Sequence, residues 1–452
     1  MKRVDWPLLL VFALGPIQWV TLLNVGLALK LVHLVMFPMA AYGFAQVLGG
    51  PRIVDLPKGT LVFWGAFFAY LFSLVVSLLH SISPTEGFSQ IAKMLIYGVM
   101  GLGIALYVGT RPRDMILRTL CLAPLVSAGT FLIVANFVLA ARGISMMGLV
   151  VRALESGNPT VLQFALFLNL FNTPDQIASG DIVSTALRHT ALSFIWLGGL
   201  AAAVTAMSWT GATASMRVSA VAGVALAATV VILSVSRSLI VATIAASLVL
   251  AIAWLSSGRK ITLFGVLASS LAIAVVALIA VQGSGVTNIV GQRLGSISED
   301  GRLGMYAEAL DAIAQAPVLG RGTGAEVAAS TRVGRGVVYH QVHNLFLAAW
   351  LQGGILSLSC AATYLFALLA MLGSAVLRAR TVPVVGFMAA ILTLPILRSQ
   401  LSGDGGSFTI GEWLCIALFL GLSSSALNSP RRRQTQGSTP PSTSPSRTAP
   451  TV

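Results

Sequence analysis

The chain has 452 residues, of which 56% are hydrophobic and only 9% are charged, and its mean hydropathy is +0.88. Soluble domains contain roughly 25% charged residues, so this composition excludes a soluble enzyme and is typical of a polytopic membrane protein. The net charge of +14 comes from basic residues spread over many short segments without interleaved aromatic residues, which argues against nucleic acid as a partner.

About twelve segments are apolar over about 20 residues, the length that a helix needs to span a bilayer. They lie at 7–29, 31–50, 60–80, 91–109, 117–140, 189–208, 217–235, 238–256, 261–281, 344–373, 382–398 and 408–426. We therefore predict an all-α integral membrane protein in which residues 1–281 form nine spans and residues 344–428 form three more. The first segment lacks a small-residue cleavage site, which favours a retained span over a cleaved signal peptide.

The basic residues alternate between loops in the way that sets membrane orientation. With a cytoplasmic N-terminus, the inner loops hold most of them: Arg52, Lys58, Arg111, Arg113, Arg118, Arg217, Arg259, Lys260, Arg378 and Arg380. Both termini are then predicted to be cytoplasmic. Residues 429–452 are rich in Ser, Thr and Pro, a composition typical of a disordered tail.

Two long segments, 141–188 and 282–343, fall on the outer side in this topology. Within the second, residues 303–316 predict an amphipathic helix, which Pro317 and Gly320 end. Leu303, Tyr306, Ala307, Leu310 and Ile313 are predicted to form its apolar face, with Glu308, Asp311 and Gln315 opposite. The following GRGTG, residues 320–324, could form an anion-binding backbone nest, although such a sequence is more often only a turn.

Four polar residues on this outer side are candidates for a site. Arg237 interrupts a long apolar stretch at SVSRS, where an unpaired charge costs about 3 kcal/mol at a helix centre. A snorkelling arginine at a helix end is the plainer interpretation, which the flanking serines disfavour. Arg302 begins the amphipathic helix, where a cation opposes the helix dipole, yet on spacing alone an ordinary solvated arginine is the better interpretation.

His340 and His343 precede an apolar span. An imidazole can accept or release a proton near neutral pH, so either could act as a general base, although a lone histidine more often caps a helix. No third ligand has suitable spacing, which argues against a metal site. The three cysteines, Cys121, Cys360 and Cys415, lie in apolar segments without disulfide or metal spacing.

These features together resemble the superfamily of O-antigen ligases and O-antigen polymerases in bacterial envelopes. The similarity rests on the many spans with one large late outer loop, the Ser236–Arg237 pair, and Arg302 followed by a helix and Pro317, Gly320 and Gly322. It also rests on His343 and Asn344, followed after nine residues by Gly354. It covers residues 230–357 well and the N-terminal half only by topology.

The resemblance implies a metal-independent glycosyltransferase of the bacterial inner membrane, without a cofactor and with its site facing the periplasm. Its donor would be a glycan on undecaprenyl diphosphate, and its acceptor lipid A–core or a second lipid-linked glycan. His343 would be the general base, and Arg237 and Arg302 would bind the diphosphate. His340, Arg321 and Asn344 are secondary candidates. The family often has Trp where this chain has Tyr306, a difference that we expect to matter little.

Two classes compete with this enzyme hypothesis. A transporter or flippase often has about twelve spans, but it usually places charges near the bilayer midplane. A membrane scaffold would not need arginines and a histidine on one side. Within the enzyme class, the sequence leaves ligase and polymerase open.

Overall fold

The computed structural model describes residues 3–17, 21–24, 28–49, 58–157, 169–170, 186–234, 236–257, 302–325, 327–328, 339–340, 342–401 and 408–436. These parts of the chain are almost entirely helical. The helices are α1 (Trp6–Leu14), α2 (His33–Leu48), α3 (Lys58–Leu78), α4 (Pro84–Thr110), α5 (Arg113–Ala141), α6 (Met146–Ser156), α7 (Ala186–Ser208), α8 (Ala214–Leu233), α9 (Arg237–Ser256), α10 (Arg302–Gln315), α11 (Leu345–Leu377), α12 (Pro383–Met388), α13 (Thr393–Leu401) and α14 (Ile410–Gln436). Two short antiparallel pairs, β1 (Thr21–Asn24) with β2 (Ala28–Lys30) and β3 (Val327–Ala328) with β4 (Tyr339–His340), and two 3-10 turns, Arg378–Arg380 and Ala389–Leu392, complete the described elements.

Within the described residues, eight helices are long and apolar enough to cross a membrane, which confirms an integral membrane protein. They are Gly59–Leu78, Pro84–Thr110, Arg113–Ala141, Thr190–Ser208, Ala214–Ile232, Ser238–Ser256, Leu345–Arg380 and Pro383–Gln400. Two shorter apolar helices, His33–Leu48 and Ile410–Ser424, lie at two further predicted spans. The predicted total of twelve stays a prediction, and its segment 261–281 lies outside the described residues.

The prediction of a continuous first span at 7–29 is wrong. Helix α1 ends at Leu14, and the chain then forms the hairpin of β1 and β2 before α2 begins. Pro16 explains the end of α1, because it has no amide hydrogen for the carbonyl four residues earlier. Apolar composition alone did not distinguish a helix from a hairpin here.

The last predicted spans also differ in detail from the structure. The segment predicted at 382–398 is two helices, α12 and α13, joined by a 3-10 turn at Ala389–Leu392. Pro395 favours this break, because it cannot donate to the carbonyl four residues earlier and fits the first turn of a new helix. Helix α14 continues to Gln436, past the predicted start of the tail at 429.

The core of the bundle is aromatic and lies between α3, α11 and α14. Trp64 stacks on Trp413 with ring centroids 5.4 Å apart, and Phe67 meets the same indole edge-on at 4.9 Å. Elsewhere small residues bring helices together: a β-carbon on Gly43 of α2 would lie 2.0 Å from the carbonyl oxygen of Gly103 of α4. Close backbone contact of this kind is typical of helices that pack within a membrane.

Two ion pairs lie inside the described part of the bundle. Asp5 accepts hydrogen bonds from the Tyr107 hydroxyl, whose oxygen lies 3.0 Å from each carboxylate oxygen, and Arg111 lies 3.6 Å from the same carboxylate. Near the opposite end, Arg398 of α13 and Glu412 of α14 form a fully buried ion pair at 2.8 Å. Pairing with an opposite charge offsets part of the free energy that it costs to bury a charge away from water.

Candidate active site

His343 lies half-buried at the point where the chain enters α11. The next residue, Asn344, is the N-cap of α11, and its side-chain oxygen accepts from the amides of Phe346 at 3.0 Å and Leu347 at 3.1 Å. The Asn344 amide nitrogen donates to Gln400 of α13 at 3.2 Å. Because these N-cap hydrogen bonds fix the backbone at Asn344, they also fix the position of the preceding residue, His343.

Helix α10 packs against the first turns of α11, beside His343. The hydroxyl of Tyr306 donates to the carbonyl of His343 at 3.3 Å. Buried apolar side chains join the two helices into a small core: Met305, Ala309, Ala312, Ile313, Ala325, Val342, Ala348 and Leu351. We call residues 302–325 together with 342–352 the cap. Tyr306 therefore contacts the backbone of His343 through its hydroxyl. That its identity matters little stays a prediction.

The helix predicted at 303–316 is confirmed as α10, but its predicted apolar face is partly wrong. Leu310 and Ala307 are exposed, whereas Met305, Ala309 and Ala312 are buried. The buried positions recur at intervals of three and four residues, as helical geometry requires. The small residues Ala309 and Ala312 misled the sequence prediction, because alanine shows no clear preference for one face.

Helix α11 is broken at Gly353 and Gly354, where Gly354 has a φ of +65°. The turn that follows α10 fills this break. The amide of Arg321 donates to the carbonyl of Leu351 at 2.7 Å, and the amide of Gly322 donates to the carbonyl of Gln352 at 2.9 Å. The P-x-x-G-x-G sequence is thus a docking turn for the helix break.

These contacts argue against an anion nest at residues 320–324. The amides of Gly320, Arg321 and Gly322 all donate to backbone carbonyls of the protein. A nest needs successive amides that point at the ligand. The sequence GRGTG therefore forms a turn, which was the plainer of the two interpretations.

A buried polar seam holds the cap on the membrane bundle. The hydroxyl of Thr323 donates to the carbonyl of Leu74 at 2.6 Å and shares a hydrogen bond with the Ser77 hydroxyl. Deeper in the same region, the side-chain amides of Gln90 in α4 and Gln352 in α11 bond to each other at 3.1 Å. All of these polar groups are buried and paired, as burial requires.

The structure places the backbone of each proposed arginine, while their side chains lie outside the described residues. Arg302 is the first residue of α10, four residues before Tyr306, so this helix begins close to His343. Arg237 is the first residue of α9, with Ser236 as N-cap. The arrangement thus brings Arg302 and His343 into one part of the cap by backbone position.

Helix α9 begins at the same end of the bundle as α11. The rings of Trp254 and Phe387 lie 5.5 Å apart, and the hydroxyl of Thr393 lies 3.4 Å from the carbonyl of Ala242. Residues 387–393, from α12 to the start of α13, therefore run antiparallel to α9. The C-terminal end of α13, which contacts the N-cap of α11, thus lies towards the level of Arg237.

The secondary candidates have different surroundings. His340 pairs through its backbone with Val327 in the β3–β4 strand pair, and its side chain lies outside the described residues. Arg321 is half-buried, and its guanidinium donates to Gln315 at 2.7 Å. Asn344 has the capping role described above. None of these contacts places a second basic group on His343.

A shallow apolar groove of about 350 Å³ runs between α3 and α11, on the membrane side of the helix break. Gly65, Ala66, Ala69, Ser359, Cys360 and Thr363 line it. Its small side chains leave room for an extended apolar chain to lie against the helices.

Comparison with known families supports the resemblance found in the sequence. Residues 222–362 match the family model of the O-antigen ligases. This range includes Arg237, Arg302, His343 and the docking turn with its helix break. No curated protein matches the chain.

Proposed function

We propose that this membrane protein, whose residues 222–362 match the family model of the O-antigen ligases, transfers a glycan from undecaprenyl diphosphate to lipid A–core on the periplasmic side of the inner membrane. The observation that supports this most is the fixed position of His343. It lies half-buried between the cap and the start of α11, at the end of the bundle where α9 and α10 also begin.

The distribution of charge supports the periplasmic orientation of this end. Arg111, Arg113, Arg217 and Arg378 lie at helix ends on the side of the bundle opposite His343. Basic residues in short loops favour the cytoplasm, so the end with His343 is assigned to the periplasm. A donor glycan that has crossed the membrane and an acceptor on the outer leaflet would meet there.

The proposed reaction is a displacement at the sugar carbon that bears the diphosphate. The imidazole of His343 takes the proton from the acceptor hydroxyl as its oxygen forms the new bond to that carbon. The bond from the carbon to the diphosphate oxygen breaks, and undecaprenyl diphosphate leaves with the electron pair. The guanidinium groups of Arg237 and Arg302 bind the diphosphate and stabilise its growing charge.

The apolar groove between α3 and α11 suits the prenyl chain of this donor. It lies among helices that span the membrane, and its lining residues are small and mostly apolar. Holding the chain there would keep the diphosphate near the membrane surface, below the cap.

The test is a transfer assay with purified protein and a glycan-loaded undecaprenyl diphosphate donor. One arm contains lipid A–core, and the other contains donor alone. We expect product on lipid A–core, and we expect His343→Ala to lose nearly all of it, because removal of a general base typically costs about 10²–10⁴-fold. Longer lipid-linked chains from donor alone would instead identify a polymerase.

His340→Ala is the matched control, because it removes the other histidine in the same segment. We expect it to retain transfer. If His343→Ala retains full transfer in a folded protein while His340→Ala loses it, the base assignment to His343 is wrong. Absence of product in both arms would contradict the transferase proposal.

A further inference from the structure

The break in α11 leaves backbone groups that a continuous helix would pair. In an unbroken helix the amide of Ile355 would donate to the carbonyl of Leu351. Here the amide of Ile355 donates to the carbonyl of Val318 at 3.2 Å, and the carbonyl of Leu351 accepts from Arg321. The turn therefore supplies both partners that the break removes. A break at membrane depth is tolerated only where protein satisfies its backbone.

The helical segment 345–352, which follows His343 directly, is held at both of its ends by other parts of the cap. At the start of this segment, Tyr306 donates to the carbonyl of His343. At its end, the amides of Arg321 and Gly322 donate to the last carbonyls before the break. The segment, α10 and the turn consequently form one unit that includes the proposed base.

Thr323 joins this unit to the membrane bundle. Its side chain is fully buried, and its hydroxyl contacts the Leu74 carbonyl and the Ser77 hydroxyl of α3. Its own carbonyl accepts from the hydroxyl of Ser81 at 2.6 Å. The ideal β-carbon position of Gly87, in α4, lies 2.4 Å from the same carbonyl oxygen. The chain at Thr323 is thus enclosed by α3 and α4.

We propose that Thr323 is a positioning residue, which holds the cap against α3 and so fixes His343 relative to the bundle. Its role in catalysis rests on the proposed function of His343. A displacement at carbon needs the base within hydrogen-bond reach of the acceptor hydroxyl, so a small shift of the cap would lower the rate. The hydroxyl of Thr323 makes the two hydrogen bonds to α3.

Three variants separate this role from a general effect on folding. Thr323→Val keeps the shape and removes the hydroxyl, whereas Thr323→Ser keeps the hydroxyl. Thr229→Val is the matched control, because the hydroxyl of Thr229 is exposed and bonds only to the carbonyl of Ala225 in its own helix. Thermal unfolding of each variant in detergent shows whether it folds.

Amide hydrogen exchange measures the docking without reference to activity. In the wild type we expect protected amides at Arg321, Gly322 and Ile355. In Thr323→Val we expect these amides to exchange about tenfold faster or more, because loss of buried hydrogen bonds favours local opening. Thr323→Ser and Thr229→Val should match the wild type. Unchanged exchange in Thr323→Val would overturn the proposal.

The transfer assay then tests whether docking positions the base. We expect turnover of Thr323→Val to fall by about tenfold or more and that of Thr323→Ser to stay near wild type. Faster exchange with unchanged turnover would overturn the positioning role. If the amides exchange as expected but the wild-type protein shows no transfer activity, the proposed function is refuted while the docking role of Thr323 stands. The two failures are therefore distinguishable.

Discussion

The backbones of Gly320 and Gly354 touch directly: a β-carbon on Gly320 would lie 2.6 Å from the amide nitrogen of Gly354. Both residues have positive φ, +72° and +65°. One is in the docking turn, and the other is the last residue of the break in α11. This contact gives a physical reason for the spacing of nine residues between Asn344 and Gly354, because His343 and the docking site lie at opposite ends of one short helical segment.

Substitution of Gly354 by alanine should undock the cap. Its φ of +65° is strained for alanine, and the new β-carbon would lie 1.9 Å from the carbonyl oxygen of Val318. We expect Gly354→Ala to lower the free energy of unfolding by at least about 2 kcal/mol. Thermal unfolding in detergent measures this change.

Gly373→Ala is the control on the same helix. No atom lies within 4 Å of the β-carbon position at Gly373. Removing a glycine from a helix interior should leave stability unchanged or raise it by about 0.5–1 kcal/mol. Equal effects of the two substitutions would contradict a specific role for Gly354.

The buried pair of Arg398 and Glu412 should be sensitive to loss of one partner. Both side chains are about 2% exposed, and the Arg398 guanidinium also donates to Ser193 at 2.9 Å. We expect Glu412→Gln to destabilise the protein by about 3–5 kcal/mol, because it leaves a buried charge without its counter-ion. Chemical or thermal unfolding checks this value.

A second carboxylate provides the comparison. Glu86 is exposed in the first turn of α4. Glu86→Gln should cost no more than about 1 kcal/mol, the usual contribution of a charge at a helix end. If Glu412→Gln were equally mild, the ion pair would not stabilise the junction of α13 and α14.

The hydroxyl of Tyr107 should stabilise the end of the bundle opposite His343. It donates to Asp5 and accepts from the Arg111 guanidinium at 3.0 Å. Tyr107→Phe should cost about 1.5–3 kcal/mol, the range for hydrogen bonds to charged groups. Tyr42→Phe, at an exposed ring near the same arginine, should change stability by less than about 0.5 kcal/mol. Unfolding of both variants compares the two hydroxyls, and similar losses would contradict the assignment.

Loss of Asn344, the N-cap residue of α11, should affect transfer as well as stability. Asn344→Ala removes the acceptor for two amides and the bond to Gln400, and should cost about 0.5–2 kcal/mol. Asn344→Ser keeps a capping oxygen but shortens the reach to Gln400. We expect turnover to fall in the alanine variant and to recover in part in the serine variant. Full activity of Asn344→Ala would show that the position of His343 does not depend on the N-cap bonds of Asn344.

The long apolar segments were predictable because a spanning helix needs a continuous stretch of suitable length. The prediction at 117–140 lies inside α5, and the prediction at 60–80 ends two residues past the end of α3. The predicted first span was wrong, because hydropathy does not detect a hairpin and Pro16 ends α1 for a reason unrelated to hydropathy. The position of α10 followed from its pattern and from Pro317.

Long-range contacts of the candidate site were beyond sequence analysis. The bond between Asn344 and Gln400 joins residues 56 positions apart, and Thr323 meets Leu74 across 249 positions. Thr323 had a partial signal, because it lies between Gly322 and Gly324 in the GRGTG sequence. Gln400 had none, since a glutamine near a helix end has no distinctive pattern. Side-chain directions of Arg237 and Arg302 stay predictions.

The break in α11 also has a consequence for biogenesis. The turn at 317–322 precedes α11 in the chain, so the ribosome makes it before the helix that it completes. The amides that pair with the carbonyls of Leu351 and Gln352 are therefore already synthesised when α11 is made. We expect this order to shorten any stage in which the unpaired peptide groups of the break face lipid.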